Sequence, residues 1–407
     1  MPGRSVLHGR RVLLGVTGSI AAYKSAVLAR ELMRRGAEVR VVLTAAAQEF
    51  VAPLTFATLT GHRVYSDFTE DRDQGTWTNH VDLGLWGDVM LVAPATAETC
   101  AAFAAGSCSN FLQAVFLSSR CPVAVAPAMD LDMFAHPATT ANLACLRERG
   151  IQVFEPESGP LASGLEGKGR MVEPEALADA LEDWIVASLP LRGVRALVTV
   201  GPTHEPIDAV RFLGNRSSGK MGFAVCEALR DAGAEVTAVC GPVSVPVPPG
   251  LTEVVHVETA VQMQEAVAQR ALHAGLFIGV AAVADVRPAV TVDRKLRRNE
   301  LPTQLELVPN PDILAGVAHS RRPGQCIGGF ALDSGRNLEM GWEKLRGKGL
   351  DFIVYNTTAD DGGAFGADAG ELTLLTRDGN SHTFEMQAKR DAAHALIQHL
   401  IPLCTTP

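Results

Sequence analysis

A long connection rich in polar residues and glycine carries the clearest chemistry in this sequence. It spans residues 199–222, between an apolar run typical of a buried strand and an apolar-periodic stretch, Met221–Leu229, typical of a helix. Strand-to-helix connections normally need only a few residues, so one of this length is expected to have a function. Its last part, 215–220, offers a carboxamide, hydroxyls, backbone N–H groups and a cation at a helix start, which suits a phosphate. The alternative is a solvated loop in which Ser218 caps the helix.

The elements that position this connection occur twice in the chain. Residues 11–44 run strand, glycine-containing loop, helix, turn and strand, and residues 194–241 repeat that order. In both, a glycine (Gly36 or Gly233) stands where a helix C-terminal glycine is expected. Each unit therefore predicts the βαβ opening of a parallel, helix-covered sheet, with ligands at the carboxyl ends of the strands. The predicted fold class is α/β, with two doubly wound, mostly parallel-sheet Rossmann-like domains.

Length, charge and cysteine usage narrow the class of protein. The chain has 407 residues, 47% hydrophobic and 20% charged, which predicts a globular protein of two or three domains. A proline- and glycine-containing stretch at 188–193 predicts a boundary between domains 1–189 and 190–407. The net charge of -9 argues against nucleic acid, and the eight cysteines form no CxxC pair. We expect a cytoplasmic protein with small-molecule substrates and without a membrane partner.

Several further loops follow predicted strands or are rich in glycine. They comprise residues 79–84, 93–97, 126–133 and 159–171. In an α/β fold such loops hold the ligand contacts, although each alone could be a tight turn. The loop after the first strand, around Gly18, is not a GxGxxG fingerprint, which favours a mononucleotide phosphate over a dinucleotide.

Together and in this order, these segments resemble one family. It is the bifunctional coenzyme A biosynthesis flavoprotein family, in which phosphopantothenoylcysteine decarboxylase is fused to phosphopantothenate–cysteine ligase. The resemblance runs from about Arg11 to Leu400 and is most specific at residues 93–97, 215–222, 281–285 and 310–313.

For the second half, the resemblance implies a CTP-dependent ligase. The carboxylate of 4′-phosphopantothenate is expected to be activated with CTP, in the presence of Mg²⁺ or Mn²⁺, and the acyl-cytidylate is expected to react with the amine of cysteine. By this resemblance, Asn215 stabilises the acyl-cytidylate and Lys295 is the catalytic lysine. Arg297 and Arg298 stand where the family has lysines near Lys295. The implied nucleotide contacts are Ala281, Asp285, Pro311, Asp312, Ile313, Phe330, Lys344 and Lys348.

For the first half, the resemblance implies an FMN-dependent decarboxylase. The substrate thiol is expected to be oxidised toward a thioaldehyde with FMN as the oxidant, after which carbon dioxide leaves and a protein cysteine assists reduction of the enethiol. His80 matches the family's essential histidine. The residues expected against the flavin are Gly18, Ser19, Thr44, Pro94, Ala95 and Thr96.

Two substitutions set this first half apart from the family pattern. Asp130 replaces an asparagine that binds the substrate carboxylate in the family, and Ser163 replaces the cysteine that assists reduction of the enethiol. Two ionised carboxylates about 4 Å apart would repel by about 4 kcal/mol at a surface-like dielectric. A serine hydroxyl is a far weaker acid than a thiol, whose pKa is about 8.5. These departures from the family pattern therefore imply an impaired or altered decarboxylase, in which reduction of the enethiol fails or slows.

Three functional hypotheses follow from these residues. The first is the bifunctional coenzyme A enzyme; the second is a specialised paralogue, a CTP-dependent amide ligase for another acid or amine with a retuned or silent flavin domain. The third is a flavin-binding scaffold or regulatory subunit, against which Asn215 and Lys295 argue. The resemblance also implies a homo-oligomer, with trimers of the flavin domain and dimers of the ligase domain.

Overall fold

The computed structural model describes residues 5–71, 76–333, 338–357 and 369–405. The chain divides into two compact units, Met1–Val186 and Ala187–Pro407. This division falls three residues before the domain boundary expected after residue 189. No helix among the described ranges is both long enough and apolar enough to span a bilayer.

The first unit is a parallel sheet with helices on both faces. The sheet has the strand order β3-β2-β1-β6-β7-β8, and all its pairs are parallel. The elements are β1 (Arg11–Val16), α1 (Ala22–Arg34), β2 (Glu38–Leu43), α2 (Ala45–Gln48), α3 (Pro53–Thr60), β3 (Val64–Tyr65), β4 (Thr69–Asp71), β5 (Thr76–Trp77), α4 (His80–Trp86), β6 (Val89–Ala95), α5 (Ala97–Ala105), α6 (Phe111–Ser118), β7 (Val123–Pro127), α7 (Leu131–Ala135), α8 (Pro137–Glu148), β8 (Gln152–Val153), β9 (Glu157–Pro160), β10 (Glu166–Arg170) and α9 (Pro174–Ser188). Alternate residues of β1 point into two separate apolar cores, as period-2 geometry requires.

The second unit is also a mostly parallel, doubly wound sheet. Its order is β15-β14-β11-β16-β19-β20-β21-β22; the pairs β20–β21 and β21–β22 are antiparallel, and the other five pairs are parallel. The elements are β11 (Arg195–Val200), β12 (His204–Pro206), β13 (Phe212–Gly214), α10 (Lys220–Asp231), β14 (Glu235–Cys240), β15 (Glu253–His256), α11 (Ala260–Ala271), β16 (Leu276–Gly279), β17 (Val286–Pro288), β18 (Leu307–Pro309), α12 (Ile313–His319), β19 (Cys326–Asp333), α13 (Leu338–Gly347), β20 (Phe352–Thr357), β21 (Ala369–Thr376), β22 (Ser381–Ala388) and α14 (Lys389–Thr405). The predicted fold class is therefore confirmed.

The helices α1 and α10 end in the same way. The glycine after each helix is left-handed, with φ of 93° at Gly36 and 100° at Gly233. The residue after each glycine donates its N–H to the carbonyl five residues earlier in the chain: Ala37 to Leu32, and Ala234 to Leu229. This is a Schellman end, which favours glycine because a Cβ is strained at such φ values.

The start of α10 differs from the alternative interpretation, in which Ser218 is the N-cap. The N-cap is Gly219, whose φ is 81°, and no side chain caps the helix. A Cβ on Gly219 would lie 2.5 Å from Cγ1 of Val243, so the close approach and the left-handed backbone both require glycine. The Ser218 hydroxyl lies one residue before this N-cap, where it accepts the Lys220 N–H (3.5 Å) and lines the neighbouring cavity.

An ionic cluster joins α1 to α9 in the first unit. Glu31 accepts hydrogen bonds from Arg34 (2.8 Å) and Arg35 (2.9 Å), and Arg35 also pairs with Asp179 and Glu182 of α9. The Arg34 hydrogen bond, joined by that of Arg35 and opposed by burial, lowers the pKa of Glu31 from 4.5 to about 2. The cluster therefore stabilises the fold above pH 4.5, and this contribution is lost as the pH falls toward 2.

We expect Glu31→Gln to destabilise the first unit at neutral pH. The loss should be on the order of 1–3 kcal/mol at pH 7, because an almost buried Arg35 loses a charged partner. Thermal melting of the unaltered protein and the variant from pH 3 to pH 7 measures this loss of stability. The difference between their melting temperatures should decrease as the pH falls. Glu148→Gln, at the exposed end of α8, is the control. A difference in melting temperature that stays constant with pH would contradict the stabilising role of the ionised Glu31.

Candidate functional site

Three loops meet at the carboxyl edge of the first sheet, because β2, β1 and β6 are neighbours. Gly18 and Ser19 follow β1, Thr44 follows β2, and Thr96 follows β6. Thr17, which is 1% exposed, links two of these loops: its Oγ1 donates to the Pro94 carbonyl (2.8 Å) and accepts from the Thr96 N–H (3.1 Å). The structure therefore brings together all six residues expected against a flavin.

The chemistry of these loops fits the phosphate of a flavin mononucleotide. The Ser19 hydroxyl accepts the Ala21 N–H (3.2 Å), and the Thr44 hydroxyl accepts the Ala47 N–H (3.3 Å). A hydroxyl that accepts a hydrogen bond still has its own O–H to donate to an anion. Gly18 packs so closely on Ala46 that a Cβ would not fit, so only glycine allows this approach of the two loops.

His80 lies at the start of α4 with one buried, unsatisfied nitrogen. Its Nδ1 has no hydrogen-bond partner among the described residues. The imidazole ring makes T-shaped contacts with the rings of Phe68 and Trp77, at centroid-to-centroid distances of 5.8 Å and 6.3 Å. Because buried polar atoms are nearly always hydrogen-bonded, a partner from a bound molecule is the simplest explanation.

Asp130 and Ser163 are carried by two segments that contact each other. Asp130 follows β7 and stands at the start of α7, where its side chain makes no cap hydrogen bond. The hairpin β9–β10 is held against this segment, because the Met129 N–H donates to the Gly169 carbonyl (3.0 Å). Ser163 lies at the exposed tip of the hairpin, and its hydroxyl accepts the Leu165 N–H (3.4 Å). The structure therefore brings the base of the hairpin, rather than Ser163 itself, to Asp130.

The second unit contains a cavity of about 900 Å³ at the carboxyl edge of its sheet. The connection 199–222, the segments after β16 and β18, and parts of β19 and α13 form its wall. Nine of the expected site residues line it: Asn215, Ala281, Asp285, Pro311, Asp312, Ile313, Phe330, Lys344 and Lys348.

Hydrogen bonds fix the loops of this cavity to one another. The Asn215 carboxamide donates to the carbonyls of Val283 (3.0 Å) and Ala282 (3.4 Å). Asn310 donates from its side chain to the Ala284 carbonyl (2.9 Å) and from its backbone to the Asp285 carbonyl (2.8 Å). Asn215 is therefore held beside the segment 281–285, where a carboxamide can contact a bound acyl group.

The wall of the cavity is strongly cationic, although the chain as a whole is acidic. Lys348 pairs with Asp312 at 2.7 Å. Burial acts to raise the pKa of Asp312, but Lys348 and the Ala315 N–H outweigh it and hold the pKa below its usual value. Two carboxylates of the described residues, Asp285 and Asp312, stand against five lining cations, Arg216, Lys220, Lys344, Lys348 and Lys389. This surplus of positive charge suits a polyphosphate.

Lys389 and Thr17 are candidate residues that the sequence did not single out. Lys389 is the first residue of α14 and lies far along the chain from the other lining residues, so no local sequence pattern identifies it as a cavity residue. Thr17 stands next to Gly18, and its contact with the loop after β6 spans 77 residues.

Lys295 is the expected ligase residue that the structure does not bring to the cavity. It is exposed and lies outside the described residues that line the cavity, whereas its neighbour Leu296 is 9% exposed. Its segment is held instead by the turn between β12 and β13, through the carboxylate of Asp208 (3.2 Å from the Leu296 nitrogen).

Comparison with known proteins places both units in families. Residues 3–186 match the family described as Flavoprotein, and residues 191–403 match the DNA/pantothenate metabolism flavoprotein C-terminal domain. The coenzyme A biosynthesis bifunctional protein CoaBC of Bacillus subtilis (strain 168) is 38% identical over 400 residues, 98% of each chain. A cysteine/cysteine sulfinic acid decarboxylase from an unknown prokaryotic organism is 41% identical over 357 residues, 87% of this chain and 99% of that protein.

Solved structures include a similar domain. The crystal structure of the C-terminal domain of a coenzyme A biosynthesis bifunctional protein CoaBC is 34% identical, with a TM-score of 0.45, and covers 53% of this chain and 98% of its own. The family matches and the full-length similarity confirm the resemblance found in the sequence: the chain belongs to the family of coenzyme A biosynthesis bifunctional proteins, CoaBC.

Proposed function

We propose that the second unit joins 4′-phosphopantothenate to cysteine with CTP, and that the first unit, with bound FMN, decarboxylates the product. Family membership supports both activities. The observation that carries the proposal is the 900 Å³ cavity, which combines a surplus of cations with the fixed carboxamide of Asn215. A scaffold without catalytic activity has no need of this combination.

The ligase reaction has two displacements. A carboxylate oxygen of the acid attacks the α-phosphorus of CTP, and pyrophosphate leaves. The cysteine amine then attacks the acyl carbon and loses a proton, and CMP leaves with the electron pair of the broken C–O bond. Lys344 and Lys348 would neutralise the polyphosphate, and Asn215 would donate to the acyl-cytidylate where negative charge develops.

A divalent cation, Mg²⁺ or Mn²⁺, is proposed to enter with CTP. No group of three His, Cys, Asp or Glu side chains in the described parts of the chain could hold a metal alone. The phosphate oxygens are therefore the expected main ligands, with Asp285 and Asp312 as carboxylates on the cavity wall.

The decarboxylase half is proposed to stop at the enethiol. Bound FMN supplies a two-electron acceptor for the oxidation of the substrate thiol. The Ser19 and Thr44 hydroxyls would donate to its phosphate, and the buried Nδ1 of His80 would contact the bound substrate. Ser163 does not provide the acidic thiol needed to protonate a reduced product. An external oxidant such as dioxygen would then regenerate the cofactor.

Asp130 supports a second candidate for the first unit, the decarboxylation of free cysteine or a similar amino acid. A carboxylate repels the carboxylate of an amide-linked substrate but attracts the α-ammonium of a free amino acid. The relative that is 41% identical is named for decarboxylation of cysteine and cysteine sulfinic acid. The CTP-dependent ligase would then be a specialised amide ligase with its own acid or amine.

We further propose that the chain self-associates, as trimers through the first unit and dimers through the second. Exposed apolar side chains support these contacts. Tyr23 and Val27 lie one turn apart on α1, and Leu54 lies on α3, which packs beside it. In the second unit, exposed apolar side chains cluster on and next to the hairpins β12–β13 and β17–β18, at Val210, Phe212, Val286, Val290 and Leu307.

Omission assays test the ligase proposal. With Mg-CTP, 4′-phosphopantothenate and cysteine, we expect CMP and pyrophosphate in equal amounts, and no CMP when the acid is left out. Chromatography of the nucleotides measures both outcomes. No CMP from the complete mixture would contradict the ligase assignment. Release of carbon dioxide from free cysteine and FMN alone would decide for the second candidate.

A further inference from the structure

Two cysteines from distant parts of the second unit lie side by side. Cys326 is the first residue of β19, and Cys404 lies near the end of α14, 78 residues later in the chain. The Cys404 thiol donates a hydrogen bond to the sulfur of Cys326, and the two Sγ atoms are 3.2 Å apart. The sulfurs of a disulfide are about 2.05 Å apart, so a movement of roughly 1 Å would bring this pair within bonding distance.

The surroundings hold one thiol in place and restrain the other less. Cys326 is 4% exposed, and its N–H donates to the Gly275 carbonyl (2.9 Å), which fixes the start of β19 in the sheet. Cys404 is half-buried and follows Pro402, which lies inside α14. Because proline has no N–H, the last turn of this helix has one backbone hydrogen bond fewer than a regular helix. Closure of the pair is therefore expected to move Cys404 toward Cys326.

The two thiols are suited to different steps of a disulfide exchange. The hydrogen bond from Cys404 and burial raise the pKa of the Cys326 thiol, and the charge of Asp351 acts in the same direction. The thiolate is the nucleophile in such an exchange, so Cys326 is disfavoured as the first thiol to attack. Cys404 is the more exposed of the two and is therefore the expected first nucleophile, with Cys326 as the second.

A small cavity gives molecules from solution a route to this pair. It has a volume of about 370 Å³ and lies at the amino edge of the sheet, with Cys326 and Leu403 in its wall. Arg321 and Arg322 also line it; Arg321 pairs with Asp351 (3.0 Å), whereas Arg322 has no ion-pair partner among the described residues. The volume is sufficient for a small molecule, and the charge of Arg322 favours one that carries a carboxylate.

We propose that Cys326 and Cys404 are a redox-active pair that reacts with small, carboxylate-bearing disulfides and closes to an internal disulfide. Cystine, the oxidised form of cysteine, belongs to this class. The Cys404 thiolate attacks one sulfur of cystine, and one cysteine leaves as its thiolate. The Cys326 thiol then loses its proton and attacks Sγ of Cys404, and the second cysteine leaves. Two protein thiols are thus oxidised by two electrons, and one cystine is reduced to two cysteines.

The new bond would join the last helix of the chain to a central strand. β19 lies between β16 and β20 in the sheet, whereas α14 packs on α10 and on the strands β21 and β22. A cross-link between residues 78 apart reduces the conformational entropy of the unfolded chain. The stability of the second unit therefore depends on the redox state of this pair, while the large cavity at the opposite edge of the sheet is unchanged.

The test treats the reduced, full-length chain with cystine and maps its cysteines by mass spectrometry after alkylation. We expect the peptide with Cys326 to be joined to the peptide with Cys404. The calorimetric melting temperature of the second unit should rise by about 5 °C or more, and dithiothreitol should reverse both changes. Cys226 and Cys240, which are buried, should stay reduced, and the exposed Cys108 should carry only a single attached cysteine.

Three variants separate the roles of the thiols. In Cys404→Ser the cross-link and the rise in melting temperature should be absent, and Cys326 should stay reduced. In Cys326→Ala we expect Cys404 to keep the first cysteine as a mixed disulfide, because no second thiol displaces it. Cys108→Ser is the matched control and should respond like the unaltered chain.

Three results would overturn the proposal: no reaction at either thiol, a cysteine held on Cys404 of the unaltered chain without a link to Cys326, or a link that leaves the melting temperature unchanged. Modification of Cys326 in Cys404→Ser would contradict the order of attack. Should Cys326→Ala fail to fold, the unaltered chain and Cys404→Ser, whose substitution is half-buried near a helix end, still decide the outcome.

Discussion

Replacement of Asn215 by aspartate is expected to reduce CMP formation by about 100- to 1000-fold. The Asn215 carboxamide donates to the carbonyls of Val283 and Ala282, and a carboxylate cannot donate to them. The new negative charge would also face the phosphates and the acyl oxygen that bears charge in the transition state. Turnover should therefore fall much more than the affinity for CTP does. Chromatographic CMP measurement over a range of CTP concentrations separates the two effects.

A matched control keeps the same chemical change outside the cavity. Asn380→Asp alters an exposed turn between β21 and β22. It should leave CMP formation within about twofold of the unaltered enzyme. Thermal melting should show both variants folded. If Asn215→Asp turns over as fast as Asn380→Asp, Asn215 has no part in acyl transfer.

The second large effect is expected in the first unit, when Asp130→Asn and Ser163→Cys are combined. The asparagine removes a repulsion of about 4 kcal/mol with the substrate carboxylate, so decarboxylation of the amide-linked substrate should rise by about 100-fold or more. The cysteine supplies an acidic thiol, so the product should change from the enethiol to the saturated thiol. Mass spectrometry distinguishes the two products by two hydrogen atoms.

Neighbouring residues supply the controls for this pair. Asp132→Asn changes the next carboxylate of α7, and Ser158→Cys introduces a thiol into β9 of the same hairpin. Neither should increase the rate or alter the product. A double variant that behaves like these controls would show that the pocket of this chain differs from the family beyond Asp130 and Ser163. A decrease in activity toward free cysteine in the Asp130→Asn variant would support the second candidate, the decarboxylation of a free amino acid.

The elements and their order could be predicted because they follow from local patterns. The apolar runs of β1 and β11, the helical periodicity of α1 and α10, and the glycines after both helices are all visible over a few residues. Parallel order then places the loops at one edge of each sheet. The family resemblance, rather than these local patterns, implied site residues at Asn215 and in the segments 281–285 and 310–313, and the structure places them around one cavity.

What could not be predicted depends on contacts between distant segments or on backbone conformation. Ser218 looks like a cap, but the left-handed Gly219 takes that position. The Asp208 contact to Leu296 spans 88 residues, and no local pattern announces it. Lys295 matched the family motif, yet the fold anchors its loop to a hairpin turn and leaves the side chain exposed. A motif identifies residue types, whereas the three-dimensional structure decides which of them share a cavity.

The most direct test of the account is mass spectrometry of one complete reaction. The purified chain is incubated with FMN, Mg-CTP, 4′-phosphopantothenate and cysteine labelled with ¹³C at the carboxyl carbon. We expect CMP, a labelled amide product, and slow release of labelled carbon dioxide with an enethiol in place of the saturated thiol. Absence of both CMP and the labelled amide would contradict the ligase claim, and rapid formation of the saturated thiol would contradict the role assigned to Asp130 and Ser163.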